Sequence, residues 1–275
     1  MRTVALKKYL LMKLTELKKN ILDAKKASTC LLILTKTQRR NVLLRLAELL
    51  TKNTQKIITA NRKDILMAER YGKTASFIER LSIDDKKITA MVKTIRTIAH
   101  KKDILFKTLE QHRRPNGLLI KKVRFPLGLV GIIYESRPNV TIDTFTLAFK
   151  SGNALLLKGG KEIRCTNVAL ITLIRKALAS EHVNQNIVKD IRGLDKKLSI
   201  ELMRNTLIDC LIPRGGKNLI TFVKNYARVP VIITGASVVH TYVDASGEIE
   251  SAVRIIINSK TRRVSICNAL VKIYL

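Results

Sequence analysis

The sequence predicts an α/β fold built on a doubly wound, mostly parallel sheet. Three observations carry that expectation. Residues 127–134 form an apolar, β-branched run with Gly128 and Gly131 in it, the composition of a strand buried on both faces. Residues 140–150 set Ile142, Phe145, Leu147, Ala148 and Phe149 at spacings that give one buried helical face, and 154–157 is a second short apolar run. Strand, helix and strand in that order make a βαβ unit, whose crossover is right-handed. The same alternation then continues to Asn258, which extends the unit into a doubly wound sheet.

Taken in order, residues 1–20 carry six basic residues and one acid and read as a helical or frayed N-terminal extension. A transit peptide would be richer in Arg and Ser. From Ile21 to Leu50 apolar residues recur at helical spacing, with a break at Thr35-Lys36-Thr37. Residues 51–70 continue helical and stop at Gly72. Ser82-Ile83-Asp84-Asp85 is a capping signature for a helix from Asp84 to about His100. The polar stretch 111–122 turns at Pro115-Asn116-Gly117, and 118–123 reads as an exposed strand. An antiparallel ribbon near 111–126 would suit self-association.

Ser136-Arg137-Pro138-Asn139 ends the first buried strand with turn chemistry, and Ser151-Gly152-Asn153 stops the helix that follows. Beyond the central unit come a helix over 165–178, a strand over 187–191 and a short helix over 198–203. A strand over 208–212 runs into Pro213-Arg214-Gly215-Gly216, and a helix occupies 218–225. Residues 229–234 read as a strand ending at Gly235, 238–243 as a further β-rich run, and 248–258 as a helix.

Composition narrows the function classes. At 46% apolar the chain can bury a real core. Lys+Arg 52 against Asp+Glu 21 gives a net charge of +31, which raises nucleic acid or an anionic surface as partners. The basic residues are scattered instead of clustered, so a solvated surplus accounts for them better. Aromatics at 4% without Trp argue against a base-stacking platform. No apolar stretch reaches the length of a membrane-spanning helix. Cys30, Cys165, Cys210 and Cys267 show neither a zinc spacing nor a disulfide framework, and the four histidines are dispersed. A reducing compartment fits.

In open α/β sheets ligands collect outside the carboxyl ends of the strands. Both 136–139 and 158–162 lie at such ends. Each also has a plainer reading: Asn139 as a turn residue capping the helix at Val140, Gly159-Gly160 as a tight turn, and any single cysteine as a packed core residue.

Several stretches together resemble the gamma-glutamyl phosphate reductase family of the aldehyde dehydrogenase superfamily. They are VRFPLGLVGIIYESRPNVT at 123–141, KSGNALLLKGGKE at 150–162, IPRGGKNLI at 212–220, VPVIITG at 229–235, HTYVDAS at 240–246 and NSKTRRVSICNAL at 258–270. The resemblance implies an aldehyde dehydrogenase-type fold with an incomplete catalytic domain. Its expected layout is an extension over 1–20, an NADP-binding domain over 21–242 and the start of the catalytic domain over 243–275.

The same resemblance implies NADPH-dependent reduction of L-glutamyl 5-phosphate to glutamate 5-semialdehyde with release of phosphate, in proline biosynthesis. It implies a cytoplasmic homo-oligomer, with glutamate kinase as a candidate partner. Cys267 takes the place of the nucleophile that forms a thioester. A free thiol has a pKa of about 8.5, and Lys260, Arg262 and Arg263 are close enough in sequence to favour the thiolate. Asn139 takes the place of the oxyanion-hole amide, a donor whose loss costs ~10²–10³ in rate.

Lys158, Gly159, Gly160 and Lys161 are expected at the cofactor. NAD-using relatives put a carboxylate there, and Lys161 suits the 2′-phosphate of NADP instead. Pro213, Arg214, Gly215, Gly216, Thr234 and Gly235 complete the expected cofactor set, with the helix start after Gly216 facing the pyrophosphate. Arg137 and Asn268 are expected at the substrate, and no metal is. Two departures accompany the match. The chain ends at Leu275, where the resemblance leads one to expect roughly half as much chain again. Val271-Lys272 stands where the family commonly has Glu-Thr. A second chain completing the catalytic domain, an inactive NADP-binding remnant and a basic nucleic-acid-binding protein therefore stay open as alternatives.

Overall fold

The computed structural model describes residues 13–193, 195–233, 238–262 and 268–275. The chain divides into two compact units, 1–232 and 233–275, a boundary that falls before the one expected at residue 242. In the first unit, α1 (Leu14–Ser28) buries Leu17 and Ile21 on one face. Residues 14–20 thus belong to the packed body, because the i, i+4 apolar spacing runs straight through the expected edge of the extension. The break at Thr35 is a capping box. The Thr35 hydroxyl accepts from the Gln38 N–H at 3.1 Å, and the Gln38 side chain accepts from the Thr35 N–H at 3.0 Å. It starts α2 (Lys36–Lys52), followed by α3 (Thr54–Arg70) and α4 (Ala75–Leu81). Asp84 caps α5 (Asp85–His100) by accepting from the Lys87 N–H at 2.7 Å.

An antiparallel ribbon comes next, β1 (Thr108–Arg113) with β2 (Leu119–Val123), and every residue of both strands is exposed. Its first strand begins ahead of the expected ribbon at 111. With no face against a core, β1 has no apolar alternation to mark it in the sequence.

The sheet is formed by β3 (Leu129–Tyr134), β4 (Ala154–Lys158), β5 (Val188–Asp190) and β6 (Cys210–Arg214), in the order β5-β4-β3-β6, all parallel. They alternate with α6 (Asn139–Lys150), α7 (Arg164–Ser180), α8 (Lys196–Arg204) and α9 (Lys217–Tyr226). Of the strand expected over 229–234, the described part contributes one parallel bridge, Leu211 to Val231. Every residue of β3 is buried, so helices cover both sheet faces. Helices α6 and α7 supply one cover, while α1 packs across β3, β4 and β5 together with α8. A further layer of α2, α3 and α5 sits on α6 and α7. One polar seam ties that outer layer to the sheet layer. Buried Asp64 accepts from the N–H groups of Cys165 (3.0 Å) and Thr166 (2.8 Å) and from the Thr166 hydroxyl (2.6 Å).

The second unit is a small parallel βαβ: β7 (His240–Tyr242), α10 (Ile249–Thr261) and β8 (Lys272–Tyr274). Among the described residues no helix is long and apolar enough to cross a membrane.

Candidate functional site

The chain runs β3 to β4 to β5 in one direction across the sheet, then returns to place β6 on the other side of β3. The strand order therefore reverses between β3 and β6, the place where ligands settle in such sheets. Tyr134 and Arg214 stand opposite each other in register at the two carboxyl ends. Glu135, the next residue, joins them: its N–H donates to the Arg214 carbonyl at 3.2 Å, and its carboxylate accepts from the Gly216 N–H at 3.0 Å. A Cβ at Gly215 would stand 2.6 Å from the Glu135 carboxyl carbon and 2.7 Å from a Leu219 methyl, so a larger residue there would push these two side-chain ends aside. Helix α9 starts at this point with no side-chain cap, and its dipole faces the crevice. Glu135 is thus a stand-in anion at a helix N-terminus. The place fits a pyrophosphate in charge and in backbone donors.

Asn139 opens α6 after Pro138, and its side chain does not cap the helix. Its amide nitrogen donates instead to Asp143 at 2.9 Å, which leaves a second N–H on the exposed side. Burial pushes the Asp143 carboxyl up, against the Asn139 hydrogen bond and the Arg214 charge, which pull it down. Arg137 is exposed at the same rim, and Pro213 is buried opposite Ile133.

At the next strand end, burial lowers the Lys158 amine and Glu162 opposes that shift. Glu162 also reaches Lys73 at 3.7 Å. Beneath the Lys158–Lys161 loop lies a closed, buried triangle: Tyr134 to Thr141 at 2.8 Å, Thr141 to Asn167 at 2.7 Å and Asn167 to Tyr134 at 2.9 Å. Burial raises the Tyr134 phenol far above its ordinary range. A Cβ on Gly159 would run into the Asn167 amide and come within 3.2 Å of the Tyr134 ring, so packing alone demands that glycine. Gly160 lies over the Glu135 backbone at 3.6 Å from where its own Cβ would be.

The structure thus brings Arg137, Asn139, Lys158, Gly159, Gly160, Lys161, Pro213, Arg214, Gly215 and Gly216 to the carboxyl ends of three adjacent strands. Thr234, Gly235 and Cys267 lie outside the described residues. Asn268 is exposed in the second unit. The sequence reading gave no role to Glu135, Asp143 or Glu162, though it placed 158–162 at a strand end. The i, i+4 spacing of Asn139 and Asp143 could have revealed that pair, whereas the Glu135–Gly216 bond joins residues far apart in sequence. Burial raises the thiols of half-buried Cys165 and buried Cys210, which disfavours the thiolate at both. No His, Cys, Asp and Glu group among the described residues could hold a metal.

A doubly wound sheet with its ligand crevice at a strand-order reversal defines a class of nucleotide-binding proteins. Within that class, the chain belongs to the aldehyde dehydrogenase family, which it matches over residues 5–274. It is 46% identical over 248 residues to gamma-glutamyl phosphate reductase of Carboxydothermus hydrogenoformans, covering 90% of this chain and 60% of the relative. The crystal structure of gamma-glutamyl phosphate reductase from Thermotoga maritima superposes with a TM-score of 0.87 at 38% identity, covering 94% of this chain and 63% of that one. Glyceraldehyde-3-phosphate dehydrogenase GapN from Methanocaldococcus jannaschii, complexed with NADP, shares the fold at a TM-score of 0.68 and 18% identity, covering 96% of this chain and 55% of that one. The chain spans about 60% of the length of the curated relatives it matches.

Proposed function

We propose that the chain carries the dinucleotide-binding part and the nucleophile segment of a reductase that converts L-glutamyl 5-phosphate to glutamate 5-semialdehyde, a step of proline biosynthesis. The observation that carries this reading is the 46% identity to a gamma-glutamyl phosphate reductase over 90% of the chain. An acyl phosphate is an activated carboxyl group with a good leaving group. The Cys267 thiolate attacks the acyl carbon, the carbon–oxygen bond to phosphate breaks, and phosphate leaves with the electron pair. NADPH, when bound, supplies the hydride that takes the thioester to the aldehyde and frees the thiolate. Asn139 donates its free amide N–H to the oxyanion while Asp143 holds the other. Arg137 and Asn268 hold the substrate's anionic groups.

The residues that would hold the cofactor are Pro213 to Gly216, with Thr234 and Gly235, and Lys158 to Lys161; the start of α9 would offer its N–H groups to the pyrophosphate, and Lys161 would suit the phosphorylated ribose. The ribbon β1–β2 serves self-association, since its apolar side chains, Leu109, Leu119, Ile120 and Val123, are all exposed. A cytoplasmic homo-oligomer, with glutamate kinase as a partner, belongs to the same proposal. A second reading is a dinucleotide-binding piece without turnover unless another chain completes it.

Iodoacetamide labelling tests the proposal. Cys267 should label first, and a glutamyl phosphate analogue should block it. The reading fails if Cys267 labels no faster than Cys30 and no analogue protects it. Turnover on co-expression with the remaining part of a full-length relative separates the split enzyme from the remnant.

A further inference from the structure

The start of α9 is held by an anion of the chain's own. Glu135 follows β3 directly, and its backbone is fixed on several sides. Its N–H donates to the Arg214 carbonyl at 3.2 Å, and its carbonyl accepts from the Arg137 N–H at 3.0 Å. The place of a Gly160 Cβ lies 3.6 Å from its carbonyl carbon. From that fixed point the side chain reaches across to the end of β6. The carboxylate accepts from the Gly216 N–H at 3.0 Å. A Cβ on Gly215 would stand 2.9 Å from the Glu135 Cγ and 2.6 Å from its Cδ, and one on Gly216 would lie 3.9 and 4.0 Å from the two carboxylate oxygens. The whole carboxyl end therefore rests on the Gly215–Gly216 turn.

The helix supplies no substitute for it. Among the described residues, α9 has no acidic side chain in its first turn, and Gly216 at its cap position has no side chain to offer. The leading N–H groups of a helix lack carbonyl partners, and together with the dipole they stabilise a negative charge whichever molecule carries it. Glu135 meets that demand from within. A pyrophosphate taken up at the same helix start meets Glu135 twice over, as a rival acceptor for the Gly216 N–H and as a like charge beside it.

We infer that Glu135 is an internal competitor for the pyrophosphate: a dinucleotide takes the start of α9 only when the Glu135 side chain has left the Gly215–Gly216 turn. The inference rests on the dinucleotide reading above and deepens it, by naming a residue that sets affinity through opposing the ligand. Glu135 is exposed, so water receives the displaced carboxylate, and its side chain turns without disturbing the buried strand β3. Apparent affinity falls in proportion to the fraction of molecules with the turn free. One exposed carboxylate at a helix start favours its contact by roughly three- to tenfold, which is then the size of the penalty. The sign is what distinguishes the role. Removing a residue that contacts the ligand weakens binding, whereas removing a competitor strengthens it.

Titration calorimetry on the chain as it stands, with NADPH, NADH and inorganic pyrophosphate as probes, tests the inference. Glu135→Ala should bind all three roughly three- to tenfold more tightly than wild type, with equal gains for NADPH and NADH because they share the pyrophosphate. Glu135→Gln loses the charge and keeps an acceptor for the Gly216 N–H, so it should gain less. Urea unfolding gives a second readout: Glu135→Ala should unfold at slightly lower urea than wild type, since α9 loses its anion. Circular dichroism confirms that each variant folds, and Glu135→Gln carries the test alone if Glu135→Ala does not. Weaker dinucleotide binding by the folded variants would make Glu135 a ligand contact and overturn the inference. Unchanged dinucleotide affinity would overturn it too, whether or not pyrophosphate gains, because the dinucleotide would then bypass the Gly215–Gly216 turn. If neither wild type nor the variants bind a dinucleotide, the dinucleotide reading itself fails and takes the inference with it.

Discussion

Two amphipathic helices of similar length meet opposite fates in this chain. In the first unit, α5 buries Ile88, Met91, Val92, Ile95 and Ala99. In the second, α10 buries nothing, and Ile249 is 75% and Ile255 60% exposed. Their sequences read alike, since both space apolar residues at a helical period. What differs is the partner. Helix α5 packs on α2 and α6, in a layer that closes over the sheet. Helix α10 has two short, mostly exposed strands in its own unit. Amphipathicity states what a helix is able to bury, and only a facing surface turns that into stability.

The sharpest test of that contrast is a matched pair of truncations. Leu46→Ala, in the fully buried interior of α2, should destabilise the chain by about 2–5 kcal/mol through lost transfer energy and a residual cavity. Ile255→Ala, on the exposed face of α10, should stay within about 0.5 kcal/mol. Urea unfolding reads both, and equal costs would erase the distinction between the units. Next in size is Asp64→Ala. It strips three hydrogen bonds from the buried start of α7 and leaves two N–H groups without a partner, at about 2–3 kcal/mol. Gly159→Ala should follow, at about 1–3 kcal/mol, by driving a methyl into the Tyr134–Thr141–Asn167 triangle. A neutral Gly159→Ala variant with weakened dinucleotide binding would show that this glycine serves ligand approach more than packing.

The parts of the fold that the sequence made legible are those where one physical cause acts alone. Strands β3 and β4 and helix α6 are dense apolar runs bounded by Gly and Pro, and they appear within a residue or two of where they were expected. Thr35 and Asp84 cap as their local chemistry dictates. Strand β1 was only half anticipated and β8 not at all, because exposed strands carry no alternation against a core. Of the extension expected over 1–20, residues 14–20 belong to α1, since a basic surplus on the solvent face of a helix looks the same as a solvated tail until Leu17 is seen buried. At the site, the strand-end positions could be read in advance and their electrostatics could not. Lys158 read as a cofactor contact, and folding buries its amine, which the Glu162 charge partly offsets. Asn139 read as a cap or a free amide, and folding brings Asp143 into reach. Gly215 and Gly216 read as a phosphate approach, and Glu135 comes to rest there from another strand end.

Asp143 gives the finest test, because it sets the interior of the first unit against its own crevice. The interior matches its buried carboxylate: Asp64 has all its partners. The crevice matches Asp143 less well, since burial raises its carboxyl and only the Asn139 bond and the more distant Arg214 charge work against that. The sign follows from linkage. A carboxyl whose folded pKa lies above its unfolded value of 3.8 adds stability that is fully present below that value and is lost as pH rises through the folded pKa. Asp143→Asn keeps an acceptor for the Asn139 amide and removes the titration. The variant should therefore match wild type in acid and exceed it slightly at neutral pH, with a flatter stability–pH curve in between. Thermal midpoints from about pH 3 to pH 8 measure it. Coincident curves would mean that solvent and Arg214 already satisfy the ionised Asp143, and that the crevice carries no more burial cost than the interior does.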